Sequence, residues 1–163
     1  MRKYAFGAGI VVVMLAMTPL FVHFRAFGQE AKPTEPIFGT WVMDVSKSFS
    51  KRLDEQPTFA TQHVRILTPE GDGFRNTLYN SPEKQTYSYT GKFDGNEHPG
   101  PNNRMLTHWR VNPDLIVRLQ TTNGKPTEWA IYTVSADGSV FTTISWVPDH
   151  PELQDFQVFT RKK

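Results

Sequence analysis

Aromatic residues at alternating positions are the side chains of this sequence with the clearest potential to bind a small molecule. Tyr87, Tyr89 and Phe93 fall on one side of an alternating stretch, and large rings with polar tips suit a cavity for an amphipathic ligand. The same reasoning on neighbouring stretches gives a candidate ligand-binding set of Tyr87, Tyr89, Phe93, Trp109, Trp129, Trp146 and Arg118. These rings could also fill the core completely, so packing without a ligand is the alternative.

Polar residues oppose the apolar positions in two of these stretches. Arg118 and Gln120 alternate with aliphatic residues, and His108 and Arg110 flank Trp109. If the apolar positions face outward, these polar groups would line a pocket and bind an anion. If the apolar positions face inward, the polar groups form a solvated outer surface, because alternate side chains of a strand point to opposite faces.

The residue types needed for catalysis or metal binding do not form a recognisable pattern, so we predict no catalytic residue, no metal ion and no cofactor. The histidines at positions 63, 98, 108 and 150 lack the close spacing of a compact metal site. The sequence has no cysteine for thiol chemistry, no Gly-x-Ser-x-Gly elbow and no glycine-rich phosphate loop. These absences favour a binding protein but leave enzymatic activity open.

The N-terminus has the pattern of a secretory signal peptide. A short basic start precedes the apolar stretch Tyr4–Val22, and small residues occupy the two positions that a signal peptidase reads. We predict a signal peptide over residues 1–28, a flexible leader over 29–36 and a domain over 37–163, in an exported protein that is periplasmic or secreted. The alternative is an uncleaved anchor, because the apolar stretch is just long enough to span a bilayer.

Removal of the predicted signal changes the charge balance. The full chain has 18 basic and 16 acidic residues, and the signal holds three of the basic ones, which leaves 15 against 16. The remaining basic residues are scattered, so we predict no nucleic-acid partner. An exported domain without cysteine has no disulfide, so its core alone must stabilise it.

Turn residues interrupt short alternating stretches at regular intervals along the domain, which is typical of an all-β protein. We predict an antiparallel up-and-down meander barrel of about 8–10 strands, because consecutive hairpins favour that arrangement. Two longer loops are predicted over Asp94–Asn103 and Pro148–Asp155. The predicted strands are Gly39–Val45, Thr61–Thr68, Phe74–Asn80, Thr86–Phe93, Met105–Val111, Leu115–Thr121, Thr127–Val134, Val140–Val147 and Phe156–Arg161.

Four short segments together resemble the exported bacterial lipocalin-like proteins, a family largely of unassigned function. They are Phe38–Phe49 with its Gly-Thr-Trp, Tyr89–Pro99, Val134–Gly138 and Val158–Arg161. The resemblance covers nearly the whole mature chain and implies a barrel of the lipocalin and fatty-acid-binding-protein type.

The resemblance also implies roles for Gly39, Trp41 and Arg161. In the wider group, the tryptophan of a Gly-x-Trp on the first strand packs across the barrel floor, and a basic residue of the last strand lies over its ring. Two features of that group are absent here: the helical lid after the first strand, since Ser46–Pro57 is short and polar, and the Arg-x-Tyr clamp near the C-terminus. We therefore do not predict a fatty acid as the ligand.

The leading hypothesis is an exported, monomeric lipocalin-like barrel that binds a small apolar or amphipathic molecule and, after signal cleavage, has no stable membrane insertion. One alternative is a structural or interaction module of the cell envelope with a packed barrel and contact sites in the two long loops. A third is a small isomerase or hydrolase in the barrel mouth, which would need a buried titratable pair such as His108 with an acid.

Overall fold

The computed structural model describes residues 35–52, 62–81 and 84–163. The predicted signal peptide and nearly all of the predicted leader lie outside these residues. Within the described ranges, no helix has both the length and the apolar character needed to cross a membrane.

The described residues form one antiparallel sheet whose hydrogen-bonded order is β5-β4-β3-β1-β11-β10-β9-β8-β7-β6, with β2 paired to β11. Two short 3-10 helices occupy Val45–Lys47 and Pro101–Asn103. The strands are β1 (Gly39–Met43), β2 (Phe49–Ser50), β3 (Val64–Glu70), β4 (Gly73–Ser81), β5 (Lys84–Lys92), β6 (His98–Pro99), β7 (Met105–Asn112), β8 (Leu115–Thr122), β9 (Lys125–Val134), β10 (Val140–Val147) and β11 (His150–Arg161).

The sheet curves until its two ends meet. β1 pairs with both β3 and β11, so the first and last strands of the domain are adjacent. β5 contacts β6 and β7 across the remaining seam. The architecture is a near-closed antiparallel barrel with ten strands in its hydrogen-bonded order, which confirms the predicted lipocalin-like fold class.

The tight turns have the residues that their backbone requires. Asn123 and Gly124 join β8 to β9 and both have positive φ angles, 51° and 73°. Such a pair forms the type I′ turn whose twist matches that of a two-residue hairpin.

One end of the barrel is filled by a dense core around Trp41, which is fully buried. The indole N–H of Trp41 donates to the carbonyl of Ile37 at 3.0 Å, and the ring of Phe141 lies 5.3 Å away. The guanidinium carbon of Arg161 lies 4.1 Å from the ring centre of Trp41, and its Nε donates to the carbonyl of Gly138 at 2.7 Å.

Gly39, at the same end of the barrel, has a backbone conformation that favours glycine. Its φ is 150°, and a Cβ added there would lie 2.5 Å from Nη1 of Arg161. Any larger residue would displace the guanidinium from its position beside the core. The role of Gly39, Trp41 and Arg161 in closing the barrel stays a prediction, for which a stability test is given below.

The structure has two strands that the sequence did not predict, β2 and β6, and a longer last strand. The prediction of a loop over Pro148–Asp155 is wrong for most of that segment, because β11 begins at His150. Gln154 pairs with Trp146 of β10 and Asp155 pairs with Ser50 of β2, so neighbouring strands satisfy the backbone of this segment. The proline and the charged side chains at the start of this segment are uncommon in strands, which explains why the sequence predicted a loop.

Candidate functional site

A cavity of about 280 Å³ lies inside the barrel, at the end away from Trp41. Its walls come from the ends of β3, β4 and β5, from β7 to β11, and from the 3-10 helix at Pro101–Asn103. Trp41 and Arg161 do not line it. The barrel therefore has one filled end and one hollow end.

The strand register decides which side chains face the hollow, because residues directly opposite each other on paired strands share a face. His108, Arg118, Ala130, Ser145 and Asp155 are successive partners across β7 to β11 and form one such row. All but His108 line the cavity, and His108 is fully buried. This row is the interior face.

The opposite row places three tryptophans on the outside, so their predicted inward orientation is wrong. Trp109 is the partner of Val117, and Trp129 is the partner of Trp146. Trp109 is 37% exposed, and its ring stacks on that of Trp129 at 5.9 Å. None of the three lines the cavity. Aromatic size suggested an interior position, but the register gives these positions to the outer face.

The tyrosines of the candidate set do face inward. Tyr87 and Tyr89 line the cavity, and their ring centres are 6.0 Å apart. The hydroxyl of Tyr89 accepts a hydrogen bond from Nδ2 of Asn76 at 3.0 Å. Phe93 does not line the cavity; it stacks on Phe74 at 5.1 Å and contributes to the core. The structure thus brings Tyr87, Tyr89 and Arg118 together at the cavity.

Arg118 is buried and belongs to a chain of ion pairs. Its Nη2 pairs with Oε1 of Glu128, and Oε2 of Glu128 pairs with Nη1 of Arg52 at 2.5 Å. Arg52 also lies 3.5 Å from Oδ2 of Asp155, and Asp155 accepts a hydrogen bond from Ser50. Two carboxylates and two guanidinium groups therefore balance one another on this side of the cavity.

Arg65 is a second buried guanidinium on the cavity wall and is only 5% exposed. It is the register partner of Trp41 and Leu78, which places it on the interior face of β3. No carboxylate of the described residues pairs with it, and within the same ranges its Nε and Nη1 have no hydrogen-bond partner. Its charge instead lies near aromatic rings, with Tyr132 at 5.4 Å.

The two cations alter the titration of their neighbours. Burial lowers the pKa of His108 to about 3, and the charge of Arg118 contributes in the same direction, so His108 is neutral at pH 7. Burial alone would raise the pKa of Tyr132, but Arg118 and Arg65 outweigh it and lower that pKa. Burial raises the pKa of Tyr89. A hydroxyl whose pKa is lowered is a stronger hydrogen-bond donor, which suits Tyr132 to an anionic acceptor.

No group of three or more potential ligands for a metal ion occurs among the described residues. Asp94 and His98 form a surface pair at 2.9 Å, and the hydrogen bonds to Asp94 from the Asn96 backbone and then from His98 lower its pKa to about 2. This pair lies outside the cavity.

Several cavity residues were absent from the predicted set, above all Arg65, Glu128 and Tyr132. Arg65 lies between Val64 and Ile66 in the sequence, so its stretch alternates apolar and polar positions without showing which face is inward. The conditional prediction that Arg118 and Gln120 line a pocket if the aliphatic positions face outward matches their place on the cavity wall.

Comparisons with known proteins give similarity of structure without a match of sequence. No protein-family model matches the sequence, and no significantly similar curated protein was found. A point mutant of the fluorescent protein UnaG is 15% identical, with a TM-score of 0.60 over 79% of this chain and 98% of that one. Human cRBP IV is 17% identical, with a TM-score of 0.56 over 77% and 97%.

A secretory abundant heat soluble protein from Ramazzottius varieornatus is 11% identical, with a TM-score of 0.59 over 78% of this chain and 96% of that one. These identities establish the fold alone and do not test the resemblance to exported bacterial proteins, which stays a prediction. The structure is a barrel of the lipocalin and fatty-acid-binding-protein type.

Proposed function

We propose that this protein is an exported small-molecule-binding protein that holds an amphipathic ligand in the interior of its barrel. The observation that carries the proposal is the cavity of about 280 Å³ at one end of the barrel. Its rings and polar groups converge on one space, as in protein sites that bind small molecules. The export part of the proposal depends on the N-terminal sequence pattern.

The two alternatives have less support. A structural module with a packed barrel would need a filled interior, and the hollow end argues against it. A barrel isomerase or hydrolase would need His108 beside an acid. In the described part of the chain, the polar contact of His108 is the hydroxyl of Tyr89 at 3.5 Å, and Arg118 and His98 are the charges that influence it. The monomeric state and the absence of a nucleic-acid partner stay predictions.

Solved structures of the same fold add support of a general kind. One of them is described as the REP1-NXSQ fatty acid transporter, with 14% identity and a TM-score of 0.54. A barrel of this architecture can therefore carry a small molecule.

Blocking the cavity tests the proposal. Ala130 is 1% exposed and lines the cavity, whereas Ile131 next to it faces outward. We expect Ala130→Phe to weaken binding of prodan, an uncharged polarity-sensitive fluorophore, because the larger side chain would fill the cavity. The expected loss is at least about tenfold, which corresponds to about 1.4 kcal/mol of binding free energy. The matched variant Ile131→Phe should bind prodan as the wild type does.

Native mass spectrometry of the protein purified from its own host complements this titration by identifying any retained molecule. Equal prodan binding by Ala130→Phe and the wild type, with both folded by circular dichroism, would show that the interior is not the binding site. No prodan binding by the wild type, together with no retained molecule, would refute the proposed function.

A further inference from the structure

The interior of the barrel has more positive charge than the carboxylates of the described residues compensate. Glu128 and Asp155 are already engaged with Arg118 and Arg52. Arg65 is left with two donor atoms that have no partner in the described ranges. Its surroundings are the rings of Tyr132, Phe141 and Phe159, with its guanidinium carbon 5.4, 6.0 and 5.6 Å from their centres.

A buried cation without a carboxylate is costly, because removing a charge from water is only offset by a close opposite charge and full hydrogen bonding. Ring faces recover part of that cost but accept none of the N–H groups. Arg65 is part of the cavity wall, and its two donor atoms without a partner in the described ranges are themselves buried. An anionic group of a ligand in the cavity would accept a hydrogen bond from the guanidinium of Arg65 and offset its charge.

The rest of the wall favours a ligand that is polar over most of its surface. Of the described residues that line the cavity, four are aliphatic: Pro101, Leu78, Leu106 and Ala130. The others include Gln120, Thr143 and Gln157, whose side chains offer both hydrogen-bond donors and acceptors. A long alkyl chain would desolvate these groups without bonding to them, so such a chain would bind poorly.

From these observations we infer that the cavity binds a compact organic anion, a carboxylate or a phosphate ester, whose charged group is held by Arg65. The ring of Tyr132 lies close to the guanidinium groups of both Arg65 and Arg118, and its side chain hydrogen-bonds with Arg65 and Tyr89. This inference rests on the proposed function, because it names the class of ligand for the same cavity. It also separates this barrel from a carrier of long-chain lipids.

Calorimetric titration of the protein at pH 7 with four probes tests the inference. Benzoate and phenyl phosphate represent the two anion classes, benzyl alcohol is their uncharged counterpart, and palmitate is the long-chain carboxylate. We expect at least one of the two compact anions to bind at least about tenfold more tightly than benzyl alcohol. We expect palmitate to bind more weakly than that anion.

Arg65 variants test the assignment of the charged group. Arg65→Gln should abolish the preference for the anion over benzyl alcohol, and Arg65→Lys should retain part of it, since it keeps the charge. Arg75→Gln is the matched control, because Arg75 lies on β4, with its side chain 48% exposed and paired with Glu70 outside the cavity. This control should keep the full preference.

Each contrary result has a distinct meaning. Equal affinity for benzyl alcohol and both anions, or no binding of any of the four probes by a protein that binds prodan, would overturn the inference and leave the proposed function standing. An unchanged preference in a folded Arg65→Gln variant would remove Arg65 from the site. Tighter binding of palmitate than of both compact anions would overturn the compact class, and failure of every probe including prodan would refute both proposals.

Discussion

Arg65 and Arg118 are two guanidinium groups inside one small barrel, and they differ in what compensates their charge. Arg118 has Glu128 as an ion-pair partner. Arg65 has aromatic neighbours and, within the described residues, two donors without a partner. The buried charge of Arg65 lowers the stability of the fold and lies on the cavity wall. This combination is typical of a binding residue, because binding sites often retain groups that destabilise the protein.

Replacing Arg65 by a neutral residue of similar length should therefore stabilise the protein while removing its anion preference. We expect Arg65→Met to raise the free energy of unfolding by about 1–3 kcal/mol, because apolar replacements of buried charges are often stabilising by this amount. Urea denaturation without ligand measures the change. Arg75→Met at the exposed surface should change it by less than about 0.5 kcal/mol, and a clear loss of stability in Arg65→Met would contradict this account of Arg65.

His108 gives the stability of the barrel a specific pH dependence. Its pKa is lowered to about 3 in the folded state by burial and then by the charge of Arg118, whereas an unfolded histidine titrates near pH 6.5. Between these values the unfolded chain binds a proton that the folded protein does not. The contribution of His108 to stability is therefore complete above pH 6.5 and falls as the pH decreases towards 3.

We expect His108→Gln to flatten the loss of stability between pH 6.5 and 3 by on the order of 4 kcal/mol, since each pKa unit corresponds to about 1.4 kcal/mol. Urea denaturation at several pH values measures it. The control is His150→Gln, in which the altered side chain is 60% exposed, and it should keep the wild-type slope. A His108→Gln variant with the wild-type slope would show that His108 is not the source.

The sequence revealed part of the site at the level of single residues. Tyr87, Tyr89 and Arg118 could be chosen because their types suit a ligand, and they line the cavity. Arg65 could not, because an isolated arginine within an apolar stretch is also typical of a strand with one solvated face. Its burial follows from pairing with β1 and β4, which the sequence pattern of β3 alone does not reveal.

At the level of the strands, the alternation of apolar and polar residues predicted most of the strand positions but not which side faces inward. A period of two fixes two faces and leaves their orientation to the register. On β7, the partner of His108 is Arg118, and the partner of Trp109 is Val117. The polar row is inside, where Glu128 pairs with Arg118. The tryptophans are left outside, where Trp109 and Trp129 stack on one another.

The seam between β5 and β7 depends on a glycine. A Cβ at Gly91 would lie 2.6 Å from the ring of Phe74 and 3.1 Å from Cε1 of His108. We expect Gly91→Ala to lower the free energy of unfolding by about 1–3 kcal/mol, because overpacking a tight contact forces neighbouring side chains to shift. Lys92→Ala, one residue along and exposed, should change it by less than about 0.5 kcal/mol. Equal stability of the two variants would show that the seam is not tightly packed.

The whole molecule divides its barrel between stability and binding. Trp41, Phe141 and Phe159 fill one end and are fully buried, and Arg161 lies over the indole. The cavity occupies the other end and shares no lining residue with this group. The Gly-Thr-Trp pattern thus indicated the architecture, while the residues that line the cavity lie elsewhere.

Shortening Trp41 should therefore affect folding far more than ligand choice. We expect Trp41→Ala to lower the free energy of unfolding by about 3–5 kcal/mol, as is typical when a buried large aromatic residue is truncated. The preference for the anion over benzyl alcohol should persist in conditions where the variant is folded, because Trp41 does not itself line the cavity. Loss of this preference with little loss of stability would reverse the two roles.

The most direct test of the central claim observes the arginine side chains while a compact anion binds. In a ¹H–¹⁵N NMR titration with the preferred anion, the Nε–H signal of Arg65 should shift most, with a smaller change at Arg118. The signals of Arg75 and Arg161 should stay unchanged, because neither residue lines the cavity. Shifts confined to the indole N–H signals of Trp109, Trp129 and Trp146, with none at Arg65, would place binding on the outer face and contradict the account.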